Sequence, residues 1–344
     1  RQRAVPWPPP GRISWPPTGK AYAAKFETIE GLTTQTGNTL LQLLIVGSLL
    51  QLPLGPLLGY FWDQLSISVR ATAVAGFVSY VAFFLYIGTL QGLGFLLIGL
   101  GAGLLARQHR TGTRTTAQRA RRMRRRARIL TAIGLAAFTL YMVNAQAGRL
   151  NTFEVKDRFQ PNPTVEALAG RDFARGLAVT IHYPTHGYRG LAFNLETALD
   201  EPWVWTEGRG SSRAVDSYWE QYFGASVFKS TYPARTEVRT GWSATTSWAT
   251  VYPWLASDLT FWGALVLMFF LGRWTARTWL RTVLFHDPLA LMLFSQLALF
   301  VAFISVNNQV LISRPALVAV VSCVGLYMVR EGHATVLARR QSAA

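Results

Sequence analysis

The chain has one cysteine, Cys323, and it lies inside an apolar run, so no intrachain disulfide can form and no cysteine-based metal site is built. Acidic residues are scarce: 17 Asp and Glu stand against 34 Lys and Arg, for a formal charge of +17 over 344 residues. Charged residues of both signs make up only 15% of the chain, while 50% is hydrophobic. That balance excludes a disordered tail, which needs low hydrophobicity, and the lone cysteine excludes a disulfide-stapled secreted module. No Gly-rich phosphate loop, dinucleotide fingerprint or Ser-His-Asp constellation stands out. An initiator Met and an apolar signal region are also missing from the Pro-rich start at Arg1, so the chain is expected to be either processed or a fragment, and an external start favours a fragment lacking upstream membrane spans.

What is present is long apolar sequence. Leu40 to Leu50, Ala73 to Ile87 and Leu289 to Ile304 are nearly free of charge, whereas a water-facing helix would show a polar residue every three or four positions. Judged against roughly 20 residues for a spanning helix, the pattern predicts spans at 38–61, 71–88, 92–106, 129–147, 257–273, 287–306 and 314–330. Gly55, Gly59, Pro53 and Pro56 are expected to kink the first of these. The predicted fold class is therefore an all-α polytopic membrane protein of about seven spans. The mean hydropathy of only +0.21 then requires a large polar insertion.

Charge orients the spans. From Arg107 to Arg128 there are ten arginines and no acid, which the positive-inside rule assigns to the cytoplasm. This run reads as a topology determinant that also touches anionic lipid headgroups, against a nucleic-acid or localisation signal. The span at 129–147 then exits, and residues 148–256 form a large external domain with eleven basic and eleven acidic residues between Arg149 and Tyr252. Arg273, Arg277 and Arg281 mark a return to the inside, Asn307, Asn308 and Gln309 an external turn, and Arg330, Arg339 and Arg340 the inner end of the last span before a tail at 331–344. By the same alternation Arg70 is internal, the Gly88 to Gly92 turn is external, and the Pro-rich segment 1–37 is external.

The external stretch is rich in Trp and Tyr. Tyr252, Trp254 and Trp262 are expected to sit in the interfacial belt, while the others divide between core packing and stacking on sugar faces. His182, His186, Arg189, Arg209, Arg213, Arg235 and Arg239 are the polar candidates. Arginine presents a planar fork that grips phosphate oxygens, so a cluster near a membrane suits a lipid-linked phosphate or pyrophosphate. The plainer reading pairs these cations with Glu196, Glu207 and Glu237. Pro184 and Gly187 argue against a helix through His182 and His186, so no metal site is expected there. Gly208-Arg209-Gly210 reads as a turn.

Several strings together resemble a known family. His186-Gly187-Tyr188-Arg189-Gly190-Leu191-Ala192, Trp203 and Trp205, Arg235 to Trp242, Trp248 to Asp258 and Asn307-Asn308-Gln309 are similar to the bacterial oligosaccharide repeat unit polymerases, the Wzy-type O-antigen polymerases, which are related to the O-antigen ligases. Tyr252-Pro-Trp-Leu-Ala-Ser-Asp258, leading into Phe261-Trp262-Gly263, is the most specific piece. The Gly88 to Gly92 turn departs from the pattern, carrying Gln91 where a Lys or Arg is usual. The resemblance covers roughly residues 70 to 325.

It implies a multi-pass protein of the bacterial inner membrane with a periplasmic loop and a GT-C-like membrane glycosyltransferase fold. The implied reaction transfers a glycan from undecaprenyl pyrophosphate onto a second lipid-linked repeat unit, with no cofactor, no metal and no nucleotide sugar. The implied partners are the lipid-linked oligosaccharide, membrane lipids and a chain-length regulator protein, with no nucleic acid. By this resemblance Arg149, Arg189, Arg235 and Arg239 are expected to hold the pyrophosphates. His186 or Asp258 is expected to act as base, although desolvation near the membrane boundary opposes a charged Asp258 without a cation. Tyr188, Trp242 and Trp248 are expected to line the glycan path. A ligase and a transporter or flippase are the alternatives. The nearly charge-free spans and the lack of an internal repeat count against transport.

Overall fold

The computed structural model describes residues 54–86, 90–109, 129, 132–147, 161–245, 247, 249–312 and 314–342. Arg149, Trp248, the segment 1–37, the start of the 38–61 span and nearly all of the 107–128 run lie outside the described residues, as do Gly88 and Thr89 of the external turn.

The described residues are all-helical, with no strand among them. The helices are α1 (54–61), α2 (Ile67–Tyr86), α3 (Leu90–Gln108), α4 (Ala132–Ala147), α5 (Pro163–Ala169), α6 (Arg171–Asp200), α7 (Arg213–Phe223), α8 (Tyr232–Thr240), α9 (Tyr252–Phe285), α10 (Pro288–Ala302), α11 (Gln309–Ile312) and α12 (Arg314–Ser342). One of them, α9, is long and apolar enough to cross a membrane by length and composition. Shorter apolar helices run over Ile67–Ala82, Gly92–Gln108, Ala132–Ala147 and Pro288–Ala302.

Where kinks were expected in α1, close packing is found. A Cβ on Gly59 would come within 2.8 Å of the Leu100 carbonyl oxygen, and one on Gly103 within 2.2 Å of the Pro56 carbonyl oxygen. Small residues here let two backbones touch, the device apolar helices use where side-chain burial gains nothing from lipid. The core continues through Phe95, Leu255, Ala264, Leu299, Phe300 and Val310, joining α3, α9, α10 and α11. Ala290, Leu293 and Leu297 pack against Tyr327 to bring in α12.

Helix α9 is two helices joined at a kink. Thr260 has φ 62° and ψ 167°, a conformation that a β-branched residue adopts only under constraint. Its hydroxyl accepts a hydrogen bond from the Gly263 amide at 3.4 Å, so it caps the longer second piece. The helix over the predicted 257–273 span thus starts earlier, at Tyr252, and runs twelve residues further, to Phe285. Trp254, expected in the interfacial belt, is only 4% exposed and packs near Phe228, because the first piece of α9 is covered by the loop domain. Trp262, just past the kink, is 79% exposed.

The two ends of the apolar helices differ. At one end Arg107 pairs with Asp63, Arg277 and Arg281 pair with Glu331, and Arg330 pairs with Asp287. Tyr60 and the His286 Nδ1 are 2.6 Å apart, and the Tyr60 hydroxyl donates to the Thr282 carbonyl. Arg70 donates to the Asp63 carbonyl at 3.2 Å. Every described arginine that the charge rule placed inside and that forms an ion pair therefore gathers here. At the other end the 303–312 turn receives the Val251 amide on the Ile304 carbonyl and donates the Asn308 amide to the Ser211 carbonyl. Residues 161–245 attach at that end.

Candidate functional site

The site is built on α6. The sequence reading broke this segment at Pro184 and Gly187, and the structure corrects it: one helix runs from Arg171 to Asp200. A proline inside a helix removes one hydrogen bond, a loss that packing can outweigh. Gly187 supplies such packing. A Cβ there would lie 2.1 Å from the Ser305 carbonyl oxygen and 3.1 Å from the Thr250 nitrogen. A Cβ on Gly176 would lie 2.2 Å from the Val143 carbonyl oxygen. The glycines thus seat α6 on the ends of α4, α9 and α10, and are contact points where a break was expected.

A continuous helix puts His182 and His186 on one face, with ring centroids 5.3 Å apart. Among the described residues no group of three or more His, Cys, Asp or Glu side chains could hold a metal. His186 stacks on Trp242 at 4.6 Å, and Phe193 meets the same indole edge-on at 5.4 Å. The Arg189 guanidinium lies 5.7 Å from the Trp242 ring and 5.6 Å from the Phe193 ring. Trp242 reaches this position because Gly241, at φ 71°, ends α8 and turns the chain back over α6. The structure therefore brings together His186, Arg189 and Trp242, with Tyr188 exposed on the same helix. Arg189 has no carboxylate partner among the described residues, so its charge remains open to a ligand.

Arg235 and Arg239 project from α8 toward the C-terminal end of α6. Arg235 pairs with Glu201 at 2.5 Å and Arg239 pairs with Asp200. The hydrogen bond to Asp200 raises the Arg239 guanidinium above its ordinary value, against an opposing effect of desolvation. Burial pushes the Tyr232 phenol up, against the pull of Arg235. A phosphate at either arginine would have to share or displace a carboxylate. Neither partner is among Glu196, Glu207 and Glu237, the carboxylates named from sequence as examples for the whole cationic set, of which Glu207 pairs with Arg209.

Asp258 sits in the first piece of α9, 8% exposed. Its Oδ2 accepts from the Ser211 amide and hydroxyl, both at 2.6 Å, and its Oδ1 accepts from the Gly210 amide at 3.3 Å and from the Thr206 hydroxyl. Four donors from residues 206–211 occupy both oxygens, so the carboxylate anchors that loop as it stands. The turn at Gly208-Arg209-Gly210 accordingly does more than reverse the chain. Arg209 is 7% exposed, pairs with Glu207 at 2.6 Å and stacks on Trp219 at 4.9 Å. Of the two candidate bases, His186 is the one in the aromatic and cationic cluster.

Sequence reasoning passed over Arg175. It lies on α6 seven residues before His182 and fourteen before Arg189, about two and four turns along the same face. The spacing was present in the sequence, but it has meaning only once 171–200 is a single helix.

No family model, curated protein or solved structure matches the chain.

Proposed function

We propose that the chain is a polytopic membrane glycosyltransferase that elongates a lipid-linked oligosaccharide, in the manner of the O-antigen polymerases its strings resemble. The observation that carries this reading is the α6 face. A helix bearing His186 and Arg189, which has no carboxylate partner among the described residues, lies across the ends of apolar helices, opposite the end where the paired arginines gather. Apolar side chains face outward along those helices, among them Val78, Leu135, Phe269, Phe270 and Val321, all more than half exposed. A bilayer is the environment that tolerates them. The proposed topology puts the α6 end in the periplasm at headgroup level and the paired arginines in the cytoplasm.

The chemistry follows from that placement. The acceptor sugar's hydroxyl oxygen attacks the anomeric carbon of the donor glycan. The bond from that carbon to undecaprenyl pyrophosphate breaks, and the electron pair leaves with the pyrophosphate. His186 takes the hydroxyl proton. Arg189 lies where negative charge grows on the leaving group and stabilises it most in the transition state. Trp242 and Tyr188 offer flat faces to the sugars, and Trp242 also fixes the His186 ring. No nucleotide sugar enters, because the donor carries its own leaving group.

The test uses purified protein in vesicles supplied with an undecaprenyl-pyrophosphate-linked repeat unit. Products of two or more units, with release of undecaprenyl pyrophosphate, support the reading. A protein that attaches the glycan only to a lipid A core acceptor is a ligase, and one that produces neither refutes the proposal. The two enzymes also separate in cells, where loss of a polymerase leaves lipopolysaccharide with a single unit and loss of a ligase leaves none attached.

A further inference from the structure

The other described arginines that sit over aromatic rings also meet an oxygen of the protein. Arg209 pairs with Glu207, Arg213 with Asp216, Arg235 with Glu201 and Arg281 with Glu331. Arg70 donates to the Asp63 carbonyl at 3.2 Å, and Arg314 donates to the Ser217 carbonyl at 3.1 Å. Arg189 is the exception. Among the described residues it meets no acceptor oxygen, and its guanidinium lies between two rings, 5.6 Å from Phe193 and 5.7 Å from Trp242. Those rings meet edge to face, with centroids 5.4 Å apart and planes inclined at 62°, so together they form a corner that receives the cation.

Phe193 follows Arg189 by four residues on α6, the spacing at which helical side chains meet. It is half-buried, whereas Arg189 is exposed. Trp242 enters from beyond α8 and is held on a second side by His186, stacked at 4.6 Å. Phe193 therefore touches two of the groups of the proposed site: it seats the cation, and its ring sets the indole against which the histidine lies. A ring in place of a carboxylate changes what the arginine can do. A carboxylate orients a guanidinium by taking its N–H donors and its charge, as Glu201 does for Arg235, so an incoming anion must displace it. The face of a ring attracts the cation through its quadrupole and leaves both the donors and the charge for a ligand.

We infer that Phe193 is a positioning residue, whose ring, with Trp242, orients the Arg189 guanidinium toward the leaving group without neutralising it. This rests on the proposed function and deepens it, by naming what holds the cation of that site in place when no acid does. Phe193 acts only through Arg189 and Trp242 and touches no reacting atom itself.

The experiment replaces Phe193 in the full chain with mono-, di- and trifluorophenylalanine, which keep the shape of the ring and drain negative charge from its face. Elongation of the undecaprenyl-pyrophosphate-linked repeat unit is followed in vesicles, with the thermal midpoint of each protein. A stepwise fall in kcat with fluorine is expected, to about 2–5-fold below the wild type for the trifluoro ring. KM and the midpoint should stay unchanged, because the oriented cation acts on charge that develops in the transition state. The same series at Phe228, whose ring carries the acid-paired Arg213 at 3.9 Å, should leave kcat unchanged. Equal rates across the Phe193 series, with the wild type active, mean that the ring only packs α6 against Trp242, and they overturn the inference while leaving the proposed function intact. A midpoint that falls in step with the rate, or an equal loss of kcat in the Phe228 series, overturns it in the same way. Wild-type vesicles that elongate nothing remove both.

Discussion

The two ends of the apolar helices handle arginine in opposite ways. At the end carrying Arg107, Arg277, Arg281 and Arg330, each guanidinium has a carboxylate, and the acids belong to other helices or their caps: Asp63, Glu331 and Asp287. Those pairs bind helix to helix, with Arg277 and Arg281 sharing Glu331, while Arg70 at the same end meets the Asp63 backbone carbonyl. At the α6 end Arg175 and Arg189 have no carboxylate partner among the described residues, while Arg235 and Arg239, one helix away, are paired with Glu201 and Asp200. The formal excess of +17 therefore says little about function. On the proposed function the binding cation is Arg189, which has no carboxylate partner among the described residues and lies beside His186 and Trp242.

The comparison can be broken at several points. The largest effect is expected from Asp258→Ala, which strands the donors of Thr206, Gly210 and Ser211 and frees the loop that Asn308 also holds. A loss of about 3 kcal/mol is expected from removal of a buried carboxylate bonded this way, read as a fall in thermal midpoint or in membrane abundance. If Asp258 were only a catalytic base, abundance would stay normal and elongation alone would vanish.

Gly187→Ala comes next. Its new methyl would press on the Ser305 carbonyl, and overpacking of this kind costs about 1–3 kcal/mol. Because the helix must lift, elongation should fall by more than abundance does. At the opposite end Asp287→Ala removes the cap that accepts from the Leu289 amide at 3.0 Å and the Ala290 amide at 3.2 Å, together with the partner of Arg330. A loss of about 1–2 kcal/mol is expected from the cap, with specific activity per folded molecule retained. The smallest effect is expected from Asp200→Asn, which releases the exposed Arg239. No measurable change in thermal midpoint should follow, as for most surface pairs. A clear drop there would mean that the pair holds α8 against α6.

How far the sequence went depends on which kind of interaction fixed each feature. One end of the apolar helices was legible because charge marks it: Arg70, Arg107, Arg281 and Arg330, which the charge pattern grouped together, do gather there. His186, Arg189 and Trp242 were legible as candidates and do meet. Helix α6 was not legible, because Pro184 and Gly187 are local signals for a break, and they lose to backbone contacts with Ser305 and Val143 that no local pattern records. Asp258 misled for the same reason. Its donors come from residues 47 to 52 positions away, so a carboxylate that looked free beside the membrane is filled. Trp254 read as a belt residue because it flanks a span, yet a loop covers it.

The central claim is that the cationic face of α6 performs the transfer while the paired arginines at the other end only hold the helices. Its most direct test compares Arg189→Ala with Arg281→Ala in a strain lacking the protein, complemented to equal membrane abundance, by the length distribution of the surface polysaccharide. The account predicts that Arg189→Ala leaves single repeat units and that Arg281→Ala still yields a full ladder. A full ladder from Arg189→Ala at normal abundance would contradict it.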